Sequence, residues 1–466
     1  MLPVPPQYPP RGKKSERMNA LNKKLILLTL LTVLLFAAGC TTQGQAPQKK
    51  LTGLNPGEED PAVWGKYYPR QYESYLKNKE ESKTEFGGSV RESHLDKKPY
   101  LRVLFKGYGF GEDYNEERGH FYAVTDVKEI KRITPKSAAS CWNCKTPTAP
   151  KQIAKEGVSW YKKPFAAVTK DVKHPITCWD CHDPKTMNLR VTRQNMINAF
   201  KRQGKDVNAS TRKEMRTYVC AQCHNEYYFD KDTKEVINPW DNGLNPRNIV
   251  DYYDNKKFSD WKHPQSGTEM LKMQHPEYEM FSGSVHQTSG VACADCHMPY
   301  VLEGYNKYSS HWMTSPVKNL DVSCKPCHRQ TTQWLKTRIH DIQVRTNETL
   351  DIAGEENVRA IRAIQTAADT QGVDTAKLAE ARKYHRTGQA YWDWVSAENS
   401  MGFHNSTKAL HTLSLAINNA RQAQVLAAEA AGKPLNPSIV DIPKKQIDQT
   451  GEPKQPEDKV KVPKQP

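Results

Sequence analysis

The sequence predicts a mainly α chain of two textures, a front region of short helices and loops and a rear region of long helices, and three observations carry this. From Lys49 to Gln330 the chain is dense in Pro, Gly, Tyr, Trp and His and shows few helical periodicities. From Thr331 it turns to Ala, Glu, Gln, Arg and Leu, with apolar residues repeating at three- and four-residue intervals. Hydrophobic residues make up only 37% of the 466 positions and the mean hydropathy is −0.80. That is thin for a soluble protein of this length, so something other than side chains is expected to fill part of the interior.

Residues 1–40 read as a leader for export. Counted from Met18, Lys23 and Lys24 precede an apolar run of 14 residues, Leu25 to Ala38, which closes on Gly39-Cys40. A membrane-spanning helix needs about 20 residues, so the run suits a signal segment better. Small residues ahead of Cys40 resemble a bacterial lipoprotein cleavage site, with Cys40 as the lipidated first residue; ordinary cleavage nearby is the alternative. Residues 1–17 are expected to precede the true start, since a proline-rich, basic stretch is odd ahead of a signal. Either way the chain is expected in the periplasm, attached to the membrane if Cys40 is lipidated.

Ten of the eleven cysteines fall into five C-x-x-C pairs: Cys141/Cys144, Cys178/Cys181, Cys220/Cys223, Cys293/Cys296 and Cys324/Cys327. Four pairs are followed at once by a histidine, His182, His224, His297 and His328. This is the c-type haem signature: the two thiols add to the haem vinyl groups and the histidine is set beneath the iron. Structural zinc also uses paired cysteines, but it does not require a histidine directly after the second one four times over. The first pair, "CWNCK", carries Lys145 in that place, with Trp142 where Trp179 stands in "CWDCH". It reads as a haem with an amine as axial ligand, the alternative being a solvated lysine beside a chance pair. An ammonium cannot bind iron, and the reference pKa of a lysine is about 10.4, so the metal must hold the amine neutral.

The histidine count sharpens the contrast. Fifteen histidines less the four in the motifs leave eleven, of which four would close four irons from the far side. Closed irons only pass electrons. An iron with Lys145 on one side and no histidine on the other has a position open to water or substrate.

Long amphipathic helices are expected over 333–367, 373–400 and 405–431, the last ended by Gly432-Lys433-Pro434. Residues 433–466 are rich in Lys, Pro and Gln and read as a disordered tail. The stretch 41–432 is expected to be one pentahaem domain, haem-rich over 49–330 and helical over 331–432. The net charge of +16 does not argue for nucleic acid. Residues 1–39 contribute +5 and 433–466 contribute +2, leaving +9 for the body, which the propionates of five haems, about ten carboxylates, would nearly cancel.

A leading C-x-x-C-K before four C-x-x-C-H sites, in an exported chain with a helical rear third, resembles the ammonia-forming pentahaem cytochrome c nitrite reductases of the cytochrome c552 family, across roughly 60–432. "DYNEERGHFYAVTDVKEIKR", "CAQCHNEYYF", "KMQHPEYEMFSGSVH" and "ENSMGFHN" carry the likeness further. The resemblance implies a multihaem cytochrome c fold with five haem c groups. Their distal ligands would be His120 for the haem at Cys220/Cys223, His286 for Cys324/Cys327, His311 for Cys178/Cys181 and His404 for Cys293/Cys296, with His385 and His411 as competitors of His404.

It further implies that Arg132, Tyr227 and His275 form the pocket beside Lys145. The chemistry is coherent: nitrite is a small anion, an arginine attracts it and stabilises charge on its oxygens, and histidine and tyrosine can deliver protons. A calcium ion would sit beside the pocket on Glu226, the Tyr227 and Lys272 carbonyls and Gln274, oxygen donors of the hard type it prefers. The implied activity is six-electron reduction of nitrite to ammonium. The implied donor is a membrane-anchored tetrahaem quinol oxidase or a soluble multihaem cytochrome, and the implied state a homodimer through the rear helices, although the Ala-rich run after Leu410 suits intramolecular packing equally well. Two other functions remain open at this point, an electron conduit with five closed irons and a reductase acting mainly on hydroxylamine, sulfite or tetrathionate.

Overall fold

The apolar spacing after Thr331 becomes three long helices, α2 to α4, behind a front region of short ones such as α1 (Arg212–Ala221). The computed structural model describes residues 53–433; the leader with Cys40, and the tail beyond Lys433, lie outside the described residues. Helix α2 runs Thr332–Ala368, α3 Thr375–Ser396 and α4 Ser406–Ala430, close to the expected spans. Each starts on a side-chain cap that satisfies free backbone donors. Thr331 accepts from Trp334 N–H, Asp374 from Ala376 and Lys377 N–H, and Asn405 from Lys408 N–H. Helix α4 closes as the sequence suggested, with Gly432 N–H donating to Glu429 O and Lys433 N–H to Ala428 O, the paired bonds of a Schellman motif. Helix α3 is shorter than expected because the chain leaves it at Ala397 and reverses through Met401 and Gly402, both at positive φ.

The Ala-rich face of α4 packs within the chain. Ala420, Ala423, Ala427 and Ala430 are buried against Ala360, Ile364, Leu378 and Ala381 of α2 and α3. A Cβ on Gly388 would stand 3.1 Å from Ala420 N and 3.2 Å from Ala416 O, so α3 and α4 meet backbone to backbone there. Front and rear share one core: Leu104, Phe105, Trp240 and Trp261 cluster with Leu350, Trp392 and Leu413.

The front region also holds four antiparallel hairpins that the sequence reading did not anticipate. One is β1 (Tyr228–Phe229) with β2 (Val236–Ile237), turned by Asp230, whose carboxylate accepts the Asp232 and Thr233 N–H groups. Three of the four have strands of two residues, too short to leave an alternating pattern; the fourth pairs Tyr300–Glu303 with Asn306–Ser309 and is largely exposed, so burial imposes no alternation on it.

The rear helices hold the segment "KMQHPEYEM" in place. Buried Asp393 of α3 accepts from Met273 N–H at 2.7 Å and from Lys272 Nζ at 3.0 Å. Asn399 donates to Glu277 at 2.6 Å, and Lys408 of α4 to the Glu279 carbonyl at 2.8 Å.

Candidate active site

The C-x-x-C-H motifs fold as single α-turns. The histidine N–H donates to the carbonyl of the first cysteine at 2.9 Å in His182, 3.0 Å in His224 and 2.9 Å in His328. Positions i, i+3 and i+4 of such a turn share one face, so both thiols and the imidazole point the same way. In "CWDCH" and "CADCH" the aspartate inside the motif starts the turn, Asp180 accepting from Thr177 N–H at 2.7 Å and Asp295 from Ala292 N–H at 2.8 Å. "CWNCK" is wound tighter: it follows a 3₁₀ turn, Ala139–Trp142, and Lys145 N–H reaches back three residues to Trp142 O at 3.1 Å. Trp142 is fully buried and stacks on Phe165 at 4.6 Å, fixing this turn to the next segment. All ten paired cysteines are unbridged thiols.

Each motif histidine faces the histidine named as its distal partner across a nearly constant gap, and His224 also has His275 at 6.3 Å. Ring centroids are 6.2 Å apart for His182 and His311, 6.0 Å for His224 and His120, 6.1 Å for His297 and His404, and 6.2 Å for His328 and His286. Two imidazoles on one metal, with bonds of about 2.0–2.1 Å and centroids about 1.1 Å behind the nitrogens, stand about 6.2 Å apart. The distal residues named from the resemblance are the ones brought opposite the motif histidines.

Distance alone does not decide, since His263 and His385 also stand 6.2 Å apart. There, however, His263 Nε2 is spent on Val103 O, and His385 has both nitrogens engaged, with Thr268 and Gln389. Among the eight histidines of the motif pairs none has its Nε2 hydrogen-bonded, and four are held at Nδ1 by an oxygen: His182 by Met187 O at 2.9 Å, His297 by Thr314 O at 3.0 Å, His311 by Ser309 O at 2.9 Å, and His404 by the Glu398 carboxylate. Outer hydrogen bonds of this kind fix the tautomer that leaves Nε2 for a metal. The donor set, paired thiols with opposed free imidazoles, therefore fits c-type haem. His385 is buried among its own hydrogen bonds and His411 is exposed on α4, so neither competes with His404.

Lys145 has a different partner. Its Nζ donates to Glu117 Oε2 at 2.6 Å, and Glu117 lies within electrostatic reach of His275 and Arg132 as well. Burial pushes the Glu117 carboxyl up, but the Lys145 ammonium and then His275 outweigh it and hold the group down at about 2. Burial likewise pulls Lys145 down, and the Glu117 carboxylate outweighs it, leaving the amine raised. Arg132 is held by a bond from Nη1 to Asp113 O at 2.7 Å, and its guanidinium lies 4.0 Å over the Phe110 ring. Tyr227, held well above the usual phenol range first by burial and then by Cys144, Cys141 and Glu117, keeps its proton. Lys145, Arg132, His275 and Tyr227, the four residues named around the first motif, thus all lie within electrostatic reach of Glu117.

The residues named for calcium also meet. Glu226 is fully buried; its two oxygens accept from Tyr253 O–H at 2.8 Å and from Gln274 N–H at 2.6 Å. Gln274 Nε2 donates to Lys272 O at 3.1 Å, so a half-turn of that amide would bring its oxygen to the same place. Burial drives the Glu226 carboxyl well above its ordinary range, the mark of a buried acid with too little positive charge beside it. A hard cation among these oxygens fits that deficit.

Comparison with known proteins agrees with this geometry. The family model for cytochrome c552 matches residues 60–465. The chain belongs to the cytochrome c552 family. The cytochrome c nitrite reductase subunit NrfA of Nitratidesulfovibrio vulgaris is 39% identical over 90% of this chain and 89% of its own length. Cytochrome c-552 of Bacteroides fragilis is 37% identical over 81% of this chain and 77% of its own. Among solved structures, the catalytic subunit NrfA from Desulfovibrio desulfuricans, described with two calcium sites, superposes with a TM-score of 0.80 at 39% identity, covering 83% of this chain and 90% of that one. As in any member of a cytochrome c family, c-type haem is the resident cofactor.

Two residues that the fold brings to this site were not named from sequence. Glu117 sits in "EERGH" and Glu277 in "HPEYE", stretches quoted above for the resemblance but with no role given to either acid. Their one sequence signal is adjacency, each lying within three residues of a histidine named for the site. No helix among the described residues is long and apolar enough to cross a membrane.

Proposed function

We propose that this chain is an exported, ammonia-forming nitrite reductase carrying five haem c groups and calcium, which takes nitrite, six electrons and eight protons to ammonium and two waters. The observation that carries this reading is the contrast between four motif histidines, each facing a second histidine, and Lys145, which faces a carboxylate inside a pocket containing Arg132, His275 and Tyr227. When bound, the haems would be held by the five cysteine pairs with His182, His224, His297, His328 and Lys145, and would supply electron storage and, at the Lys145 motif, the centre at which nitrite is reduced.

The remaining work falls to side chains. Arg132 attracts the anion and stabilises charge on its oxygens as the N–O bonds weaken. His275 and Tyr227 hold protons at the pocket, the tyrosine as a neutral phenol. Glu226, the Tyr227 and Lys272 carbonyls and Gln274 would hold the calcium that keeps Tyr227 and His275 in register.

The order of the motifs supports an internal electron route. Cys144 lies beside Cys223, and Cys220 beside Cys293, so the third motif adjoins both the first and the fourth. The fifth motif reaches the surface at Cys327, which supports exchange with a membrane-anchored tetrahaem quinol oxidase or a soluble multihaem cytochrome. Ile352 and Val425, exposed on α2 and α4, support pairing of two copies along these helices.

The test is direct. Holoprotein with a reduced dye as donor should convert nitrite to ammonium stoichiometrically, and its mass should include five haems. Absence of ammonium, with all five irons inert to cyanide, would make the chain an electron conduit.

A further inference from the structure

Glu277 stands between two histidines that have different tasks. Its Oε1 is 3.8 Å from His224 Nδ1 and 3.8 Å from His275 Nδ1. These are ion-pair distances, longer than hydrogen bonds, and are closed by a small side-chain shift or one bridging water. The other oxygen of Glu277 and the Nδ1 of His275 are both buried without a hydrogen-bond partner, so unspent capacity remains on each side of the gap. The two rings are 6.3 Å apart.

The backbone builds this arrangement deliberately. Glu277 N–H donates to His275 O at 2.8 Å, folding the acid back under its own histidine, and Tyr278 N–H donates to His224 O at 3.2 Å, tying the segment to "CAQCH". Asn399 then locks Oε1 with a bond of 2.6 Å.

We propose that Glu277 is a positioning residue that serves two sites at once, aiming His275 into the nitrite pocket and setting the donor strength of His224 toward the neighbouring haem. This rests on the nitrite-reductase reading above, in which His224 is an axial ligand and His275 a pocket residue. A carboxylate behind an axial imidazole strengthens it as a donor and favours the ferric state; the same carboxylate behind His275 leaves its other nitrogen directed at substrate. One buried charge thereby ties the group that handles protons to the haem that passes electrons to the same reaction.

The experiment compares wild-type holoenzyme with Glu277→Gln and Glu277→Asp, following haem content, the midpoint potentials of the low-spin haems by spectropotentiometry, and kcat and KM for nitrite. In Glu277→Gln the haem content is expected to hold, one low-spin haem to move to higher potential, and kcat to fall at least tenfold with KM changed less than threefold, because Arg132 is untouched. Glu277→Asp, which keeps the charge, is expected to restore the potential. Unmoved potentials in Glu277→Gln, whether or not turnover falls, overturn the proposal, as does a potential shift with full turnover. Should Glu277→Gln fail to mature, Asn399→Ala loosens the carboxylate without touching either histidine, and is expected to shift the same midpoint and lower kcat; wild-type values there overturn the proposal. Failure of the nitrite reading itself is distinct, since wild-type enzyme would then yield no ammonium while the potentials could still be compared.

Discussion

Lys145 and Glu117 form a hydrogen-bonded ion pair of 2.6 Å in the place where the other four motifs set an imidazole against an imidazole. Lysine is long enough to cross the tighter 3₁₀ turn of "CWNCK" and reach this carboxylate; a histidine on the same backbone is shorter and rigid. Lys145→His is therefore expected to keep all five haems covalently bound, because the thiols are unchanged, but to put a shorter, rigid donor where the amine would meet the haem and to lose at least tenfold of ammonium formation. Mass spectrometry and a reduced-dye assay on the same preparation check both halves.

Arg132 contributes by charge and by direction. Its Nη1 bond to Asp113 O and its stacking on Phe110 leave few alternative rotamers. Arg132→Lys keeps the charge but loses the planar fork, and Arg132→Ala loses both. By analogy with removal of one preorganised donor to a developing anion, kcat/KM for nitrite is expected to fall about 10²–10³-fold in Arg132→Ala, with Arg132→Lys between. Steady-state kinetics with nitrite decide it; a lysine variant at wild-type efficiency would reduce the role to bulk attraction.

The rear bundle offers a test of packing. Gly388→Ala would drive a methyl against the α4 backbone at Ala420 N and Ala416 O, atoms that move only if the helix moves. Overpacking of this kind costs about 1–3 kcal/mol, so thermal unfolding of the variant is expected several degrees below wild type.

Glu356 links α2 to α4 and carries a pH signature. It accepts from Arg359 at 3.0 Å, Arg421 at 3.1 Å and Gln424 at 2.9 Å. Burial raises its carboxyl, but the Gln424 and Arg421 bonds outweigh this and leave it lowered. A folded-state value below the unfolded one contributes stability that is complete above about pH 4.5 and is lost as the pH falls through the folded value. Glu356→Gln is therefore expected to be less stable than wild type by about 1 kcal/mol at pH 7. The gap should narrow as the pH falls below about 4.5 and on through the lowered folded value, as read from denaturant midpoints at several pH values.

The parts of the site that lie within one turn of chain were legible from spacing: the five cysteine pairs, the four histidines and Lys145. The distal histidines were not, because His120 meets His224, and His182 meets His311, only through the folded chain; they came from resemblance to a family, motif by motif. Glu117 and Glu277 stayed hidden for a different reason. An acid in a charged run has the same appearance whether it faces water or a buried lysine, and only the fold separates the two. The long helices were legible because their apolar repeats extend over many turns, and the two-residue hairpins were not because no repeat fits in them.

Calcium provides the last test, because it separates a structural ion from one that shapes the pocket. Glu226 is buried with its carboxyl pushed well above the ordinary range, a state that a bound cation would reverse by favouring the anion. Its neighbours in sequence are Tyr227 on one side of the site and, through Gln274 N–H, the chain leading to His275. Loss of the cation should therefore protonate Glu226 and loosen both proton-bearing residues while leaving the haem thioethers intact. Prolonged chelation of the holoenzyme is expected to lower nitrite turnover about 10–100-fold, the usual cost of losing an outer-shell support. Added calcium should restore it. Magnesium should not, since it demands a smaller, near-octahedral site and keeps its waters. Glu226→Gln should behave as the chelated enzyme and resist rescue. Metal content measured beside turnover is decisive: enzyme stripped of calcium that retains full nitrite reduction would leave the ion no part in holding Tyr227 and His275.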